Sequence, residues 1–104
     1  MIRAKYSTDG SAHSLIMTGH AHYDEEGRDI VCAGASAIVY ALLGWLENNS
    51  EDLEYVNTNV ARGETWVNCE GGKDTAAAFE MAVIGLEQIA DRYPDNMNIS
   101  ITRE

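Results

Sequence analysis

The chain begins with a pattern of alternating apolar and polar residues that is typical of a half-buried strand. The alternating residues are Ile2, Arg3, Ala4, Lys5 and Tyr6. Asp9-Gly10 follows as a turn signal, and the apolar stretch from Ser14 to Thr18 predicts a second strand. These two segments together predict a β-hairpin at the start of the fold.

A long helical pattern follows over Ile30 to Leu46. Asp29 stands directly before it as a candidate N-cap, and Asn48-Asn49-Ser50 ends it. Apolar residues recur at helical spacing on most of its faces: Val31, Ala35, Ile38, Val39, Leu42, Leu43 and Leu46. We therefore expect this helix to be heavily buried.

The second half of the chain repeats the order of the first. Strands are predicted over Leu53–Val60 and Thr65–Glu70, joined by the glycine-containing loop Ala61–Glu64, with Val67 and Cys69 on one strand face. Gly71-Gly72 then interrupts the pattern. A second helix follows, capped by Asp74 or Thr75 and stopped by Pro94. Its apolar stripe comprises Phe79, Val83, Leu86, Ile89, Ala90 and Tyr93.

A last strand is predicted where Met97, Ile99 and Ile101 alternate with polar residues. The element order is therefore β-β-α-β-β-α-β. We expect an α+β fold over residues 1–104 as one domain, in which one mostly antiparallel sheet is packed with two helices. Strand order cannot be read from these patterns.

The charge balance limits the classes of partner. The 104 residues include 17 acidic and 7 basic side chains, so the formal net charge is −10. A large basic patch for nucleic acid cannot form, and an anionic membrane surface would repel the chain. The natural complement is a basic partner, although an acidic surface also simply keeps a small domain in solution.

The expected location follows from two patterns that the sequence lacks, a membrane span and a signal peptide. No apolar run approaches the ~20 residues that span a bilayer, and the N-terminus does not resemble a signal peptide. Cys32 and Cys69 do not make a disulfide framework. We therefore expect a cytoplasmic protein with reduced thiols.

The segment that can carry chemistry runs from Gly19 to Ser36. It places Cys32 in the first turn of a helix, where free N–H groups and the helix dipole favour a thiolate. A cysteine nucleophile needs a base, and His20 lies at the other end of the intervening loop, at the end of a strand. The alternatives are that Cys32 packs as a small apolar residue and that His20 bonds to backbone.

Other residues of this segment allow further interpretations. His20, His22 and Cys32 supply three metal-type ligands, but no second close ligand pair exists, so we expect no metal. Asp29 could orient a histidine, although an N-cap role explains it. Ser36 is one helical turn after Cys32 and could hydrogen-bond near its thiolate, or simply pack.

Three further features of the sequence allow a structural or a functional interpretation. The acidic run Asp24-Glu25-Glu26 is either a solvated loop or a dock for a basic peptide. Trp45 and Trp66 are interpreted as core or interface residues. No glycine-rich phosphate loop is present, because Gly71-Gly72 lacks a following lysine-serine pair, and we expect no cofactor.

The run Gly19-His20-Ala21, Gly27, Asp29-Ile30-Val31-Cys32-Ala33 and Ser36 resembles a known family. It is similar to the bacterial ribosomal-processing cysteine proteases, usually called Prp, including the spacing of twelve residues between histidine and cysteine. The motif is dense but covers only this segment, and the second half of the chain has no motif that matches.

The resemblance implies a cytoplasmic, homodimeric endopeptidase without a cofactor. Family members remove a short N-terminal extension from the twenty-seventh protein of the large ribosomal subunit, after a pair of aromatic residues, and relatives in phages trim capsid or scaffold proteins. It also assigns roles: His20 matches the catalytic histidine, Cys32 the nucleophile, Gly19 and Gly27 the glycines flanking a mobile loop, and Asp29 and Ser36 positions near the site. The substrate loop would then consist of Ala21, His22, Tyr23, Asp24, Glu25, Glu26 and Arg28.

The resulting hypothesis is acyl transfer through a thioester, with backbone N–H groups at the start of the first helix holding the oxyanion. Two rivals from other classes remain open. One is a peptide-binding or assembly module in which Cys32 is an ordinary thiol. The other is a metal-dependent hydrolase, whose activity would be lost with a chelator and would survive alkylation.

Overall fold

The computed structural model describes residues 1–104 and confirms the predicted order of elements. The elements are β1 (Ile2–Thr8), β2 (Ala12–Thr18), α1 (Ile30–Asn48), β3 (Leu53–Ala61), β4 (Glu64–Gly71), α2 (Lys73–Arg92) and β5 (Met97–Arg103), with a 3-10 turn at Ser50–Asp52 between α1 and β3. The strands form one sheet in the order β3-β4-β2-β1-β5. Only the β1–β5 pair is parallel, so the expected α+β fold with a mostly antiparallel sheet is confirmed.

One face of the sheet carries the hydrophobic core. Tyr6 pairs in register with Leu15, which pairs with Val67, and each of these side chains is at most 2% exposed. Arg3 and Lys5, which alternate with the buried residues of β1, are exposed. Both helices therefore pack on the same face, and the predicted α2 stripe joins the core through Phe79, Val83 and Leu86.

The expectation of a heavily buried first helix is wrong. Only one stripe of α1 is buried, formed by Val31, Ala35, Val39, Leu42 and Leu46. Its opposite side exposes Tyr40 and Ile30, at 60% and 57%, together with small alanines. The reason is that α1 has two neighbours, the sheet and α2, which leave its outer side uncovered.

By length and composition, α1 is also apolar enough to cross a membrane, contrary to the expectation from the sequence. The span Ile30–Asn48 has a mean hydropathy of 1.7, and 28% of it is buried inside the fold. One such helix is weak evidence of a membrane span, because a core helix of a folded domain passes the same test.

The predicted cap of α2 is wrong. The helix begins at Lys73 with Gly72 as N-cap, and neither Asp74 nor Thr75 caps it. Instead, Asp52 reaches across from the 3-10 turn: its Oδ2 accepts the N–H of Gly72 at 3.2 Å, the N–H of Thr75 at 3.0 Å and the Thr75 hydroxyl at 2.7 Å. A side chain on Gly72 would collide with this carboxylate, since its Cβ would lie 2.5 Å from Asp52 Oδ1.

Candidate active site

The residues singled out from the sequence surround one open groove. It encloses about 920 Å³ between the start of α1, the loop before it and the β3–β4 hairpin. The predicted site residues that line it are Gly19, His20, His22, Asp24, Glu26, Gly27, Arg28, Asp29, Cys32 and Ser36. A space of this size is typical of ligand sites. Ala21, Tyr23 and Glu25 belong to the same loop but do not line the groove.

Cys32 lies in the first turn of α1, as predicted, and its side chain is half-buried. Its Sγ accepts a hydrogen bond from the backbone N–H of Ala21, with a donor–acceptor distance of 3.2 Å. Sulfur is a weak acceptor as a thiol and a stronger one as a thiolate. The contact therefore directs a backbone donor at the sulfur of Cys32.

Asp29 holds the start of α1 and the preceding loop together. Its Oδ1 accepts the N–H groups of Val31 and Cys32, each at 3.0 Å. Its Oδ2 accepts the N–H groups of Tyr23 at 2.9 Å and Asp24 at 3.4 Å. The predicted N-cap is thus confirmed, and the same carboxylate also orders the loop.

These contacts alter the expected oxyanion hole. The N–H groups of Val31 and Cys32 are bonded to the Asp29 carboxylate, and the N–H of Ala33 to the Asp29 carbonyl at 3.0 Å. These helix amides are therefore occupied in this structure rather than free to bind an oxyanion. The backbone donor that is directed at the Cys32 sulfur comes from the loop, at Ala21.

His20 lies in the same groove as Cys32 but is turned toward the β3–β4 hairpin. A Cβ added to Gly63 would lie 3.2 Å from His20 Nε2, so the imidazole packs where Gly63 has no side chain. No hydrogen bond joins His20 to Cys32. The His20 side chain is exposed, which leaves its ring room to reorient.

The loop between His20 and α1 follows an unusual backbone path. The φ angles of Gly19 and Gly27 are positive, at 85° and 88°. His22, with a φ of 55°, is the only residue other than a glycine whose φ is positive. Gly19 is also packed closely, because a Cβ there would lie 2.4 Å from the Met1 carbonyl oxygen. Gly27 has no neighbour within that reach. The hinge role of both glycines stays a prediction.

Three contacts that the sequence did not indicate tie this loop to the second half of the chain. Asn96 Nδ2 donates to the Ala21 carbonyl at 3.0 Å. The rings of Tyr23 and Tyr93 meet edge to face with centroids 5.2 Å apart. Arg62 forms an ion pair with Glu26 across the groove, with both side chains largely exposed. No local motif marks Asn96, Tyr93 or Arg62, because their partners lie far away in sequence.

Two weaker candidates have no direct contact with Cys32. Ser36 lines the groove one turn along α1 but makes no hydrogen bond to the sulfur. The rings of His20 and His22 are 6.2 Å apart at their centroids, and no three His, Cys, Asp or Glu side chains converge as metal ligands would.

Comparison with known proteins decides the family. The model of the family described as "Cysteine protease Prp" matches residues 1–98. The chain belongs to the Prp cysteine protease family. It is an enzyme of the cysteine protease class, and the resemblance read from Gly19 to Ser36 is confirmed.

Individual Prp relatives extend this match over nearly the whole chain. The ribosomal processing cysteine protease Prp of Bacillus subtilis is 31% identical over 111 residues, covering 96% of this chain and 96% of the relative. Its namesake from Mycoplasma genitalium is 29% identical over 90 residues, covering 86% and 89%.

A solved Prp structure shares the fold. The crystal structure of the S. aureus ribosomal processing protease Prp, with a covalently linked product peptide, superposes with a TM-score of 0.87. It covers 97% of this chain and 99% of its own at 23% identity. The order of strands and helices is therefore the Prp order.

Proposed function

We propose that this chain is the endopeptidase that removes the N-terminal extension of the twenty-seventh protein of the large ribosomal subunit. The observation that carries the proposal is the placement of Cys32 and His20 in one open groove. The relatives named as ribosomal processing proteases support the substrate class. A cut after a pair of aromatic residues follows from the family resemblance.

In the proposed reaction, the Cys32 thiolate attacks the carbonyl carbon of the scissile bond. The C–S bond forms, the C–N bond breaks, and His20 donates a proton to the leaving amine. His20 then activates water, which hydrolyses the thioester and releases the thiol. For this, the imidazole turns from Gly63 toward Sγ when substrate binds, since catalytic hydrogen bonds often tighten only in the complex.

The oxyanion of the tetrahedral intermediate forms beside the sulfur. Because Asp29 occupies the helix amides, we assign its stabilisation to the Ala21 N–H, which is already directed at Sγ. Losing one donor of this kind typically costs about a hundredfold in rate.

The test is cleavage of the extended ribosomal protein from the same genome, followed by mass spectrometry. We expect a single cut after the aromatic pair. Cys32→Ala should lower the rate by about a thousandfold or more, because no other thiol faces the groove. Cys69→Ala is the matched control and should retain the cut, because Cys69 is buried in the core.

The other outcomes separate the rivals. Activity that is lost with a chelator and survives alkylation would indicate a metal-dependent hydrolase. If the ribosomal protein is not cut but Cys32 is rapidly alkylated, the result would indicate a protease whose substrate is a phage protein. No cut and no alkylation would indicate a binding module.

The acidic loop is proposed to bind basic residues of the substrate. Glu26 is already paired with Arg62, so a lysine or arginine of the substrate has to displace an internal cation there. Neutralising Asp24, Glu25 and Glu26 to amides should raise KM several-fold and weaken its dependence on salt, with little change in kcat.

The matched control neutralises Glu47, Glu51 and Glu54, which are exposed and outside the groove. Both triple variants have the same net charge. Equal KM values and equal salt dependence for the two would contradict a docking role of the loop.

The assembly and location complete the proposal. We propose a homodimer in the cytoplasm, as the family resemblance implies. Exposed apolar side chains support the dimer: Met81 is 75% exposed, Tyr40 60% and Ile84 44%. Light scattering of the purified protein should give twice the mass of 11.4 kDa, and the single-chain mass would contradict it.

A further inference from the structure

Three groups of Ala21 are held in place: its N–H, its carbonyl and its side chain. Its N–H donates to Cys32 Sγ at 3.2 Å, its carbonyl accepts from Asn96 Nδ2 at 3.0 Å, and its side chain is 1% exposed. The residues on either side, His20 and His22, are exposed. Ala21 is thus the point at which an otherwise exposed loop is anchored to the core.

Asn96 is itself held rigidly by two elements. Its backbone N–H donates to the Tyr93 carbonyl at the end of α2, at 2.9 Å. Its carbonyl accepts the N–H of Ile2 at the start of β1, also at 2.9 Å. The Asn96 carboxamide therefore projects from a fixed base, and its hydrogen bond to Ala21 transmits that fixed position to the loop.

The contact of Asn96 bears on Cys32 because the carbonyl and the N–H of Ala21 belong to neighbouring peptide groups joined at the Ala21 Cα. The left-handed φ of 55° at His22 is costly for a residue with a side chain, and removing a neighbouring restraint would let the segment relax. A change in the φ or ψ angle of Ala21 would turn its N–H away from the sulfur. The first-turn amides of Val31 and Cys32 cannot replace it, because Asp29 occupies them.

We propose that Asn96 is a positioning residue for the Cys32 nucleophile, acting through the backbone of Ala21. It holds the Ala21 carbonyl, and with it the backbone conformation of Ala21 in which the N–H of the same residue is directed at the Cys32 thiolate. This inference rests on the proposed function, because it takes Cys32 as the nucleophile.

The test compares two variants that carry the same asparagine-to-aspartate substitution at different positions. Asn96→Asp removes the donor and sets a carboxylate against the Ala21 carbonyl. Asn98→Asp makes the identical change two residues along, where the side chain is exposed on β5. Iodoacetamide alkylation of Cys32 is followed against pH, together with kcat, KM and the melting temperature.

We expect Asn96→Asp to slow alkylation at neutral pH about tenfold and to move the half-maximal rate to higher pH, as the loss of a hydrogen bond to a charged group does. kcat should fall by a similar factor, with little change in KM. Asn98→Asp should match the wild type in all four measurements. A folded Asn96→Asp protein with the wild-type alkylation profile would overturn the proposal.

If Asn96→Asp does not fold, a second experiment tests the Ala21 N–H, which is the group through which Asn96 is proposed to act. Cys32 is a natural ligation point, so residues 1–31 can be synthesised with lactic acid in place of Ala21 and joined to residues 32–104. The resulting ester keeps the carbonyl that Asn96 binds and removes only the N–H. Loss of thiolate reactivity would support the proposal, and an unchanged profile would refute it.

Failure of the proposed function is distinguishable from failure of this inference. Wild-type protein whose Cys32 neither alkylates nor cleaves would refute the proposed function. Wild-type protein that does both, alongside an equally reactive Asn96→Asp protein, would refute only the role of Asn96.

Discussion

The Asp29 carboxylate receives four backbone N–H groups, two on each oxygen. Partial burial raises its pKa, but hydrogen bonds from Cys32, Tyr23, Asp24 and Val31 lower it more, so its pKa lies below the usual range. Asp29 therefore stays charged at neutral pH, and both of its carboxylate oxygens remain hydrogen-bond acceptors. It makes no hydrogen bond to His20, so the structure gives it the capping role and not the histidine-orienting one.

The burial of His13, which lies far from the groove, determines the protonation state of its ring. It is 4% exposed, its ring stacks on Phe79 with centroids 4.7 Å apart, and its Nδ1 bonds to Tyr6 and Thr8 at 2.8 and 3.0 Å. Its Nε2 is buried without a partner. Burial lowers the pKa of His13, with a smaller opposing effect of Asp9, so the folded protein holds His13 neutral.

This burial predicts that acid destabilises the fold. Because the pKa of His13 is lower in the folded state, the unfolded chain binds the proton more readily. Stability is complete above the unfolded pKa of about 6.5 and falls below it, by at most about 1.4 kcal/mol per pH unit. Urea unfolding between about pH 7.5 and 5.5 measures this slope.

Two variants assign the slope to one histidine. His13→Gln removes the titrating group and should flatten the dependence on pH, although it lowers stability throughout. His22→Asn removes an exposed histidine, with a residue that tolerates the left-handed φ, and should keep the wild-type slope. An unchanged slope in His13→Gln would assign the acid sensitivity to other groups.

Among the elements, α2 shows how a cap can come from another part of the chain. The sequence places Asp74 and Thr75 where a local cap is expected, yet Asp52 bonds to the amides of Gly72 and Thr75. The Thr75 hydroxyl lowers the pKa of Asp52 most, followed by the Thr75 and Gly72 amides, which keeps this carboxylate charged. The cap therefore also joins the 3-10 turn to the start of α2.

Paired substitutions distinguish the two caps. Asp52→Ala removes the acceptor for Gly72 and Thr75 and should lower the melting temperature clearly. Asp74→Ala removes only a favourable charge in the first turn and should lower it less. Thermal unfolding, followed by circular dichroism, measures both melting temperatures. A larger loss in Asp74→Ala than in Asp52→Ala would indicate that Asp74 caps α2.

At the scale of the whole molecule, burial separates the two cysteines. Cys69 is 0% exposed within the core, and burial raises its pKa to about 11. Cys32 faces the groove. In the folded protein at neutral pH, iodoacetamide should therefore modify Cys32 alone, and in urea both cysteines. Peptide mass spectrometry reads out the two sites, and equal labelling of Cys69 in the folded state would contradict the described core.

The elements, their order and the two residues proposed for catalysis could all be predicted from the sequence. Alternating and helical patterns are local, so β1 and α1 were predicted to begin at Ile2 and Ile30, as observed. His20 and Cys32 were found because the family's motif lies within one short segment, from Gly19 to Ser36. The Asp29 cap was predictable for the same reason, since it acts on residues two and three positions away.

The folded structure was needed to show which distant residues complete the site and which faces stay exposed. Asn96 reaches Ala21 across 75 residues, and Asp52 reaches Thr75 across 23. Neither pairing leaves a periodic signal in the sequence. The exposed side of α1 was unpredictable because burial depends on how many neighbours surround a helix. Local patterns record what each segment prefers, whereas these contacts depend on segments that are distant in sequence and adjacent only in the folded chain.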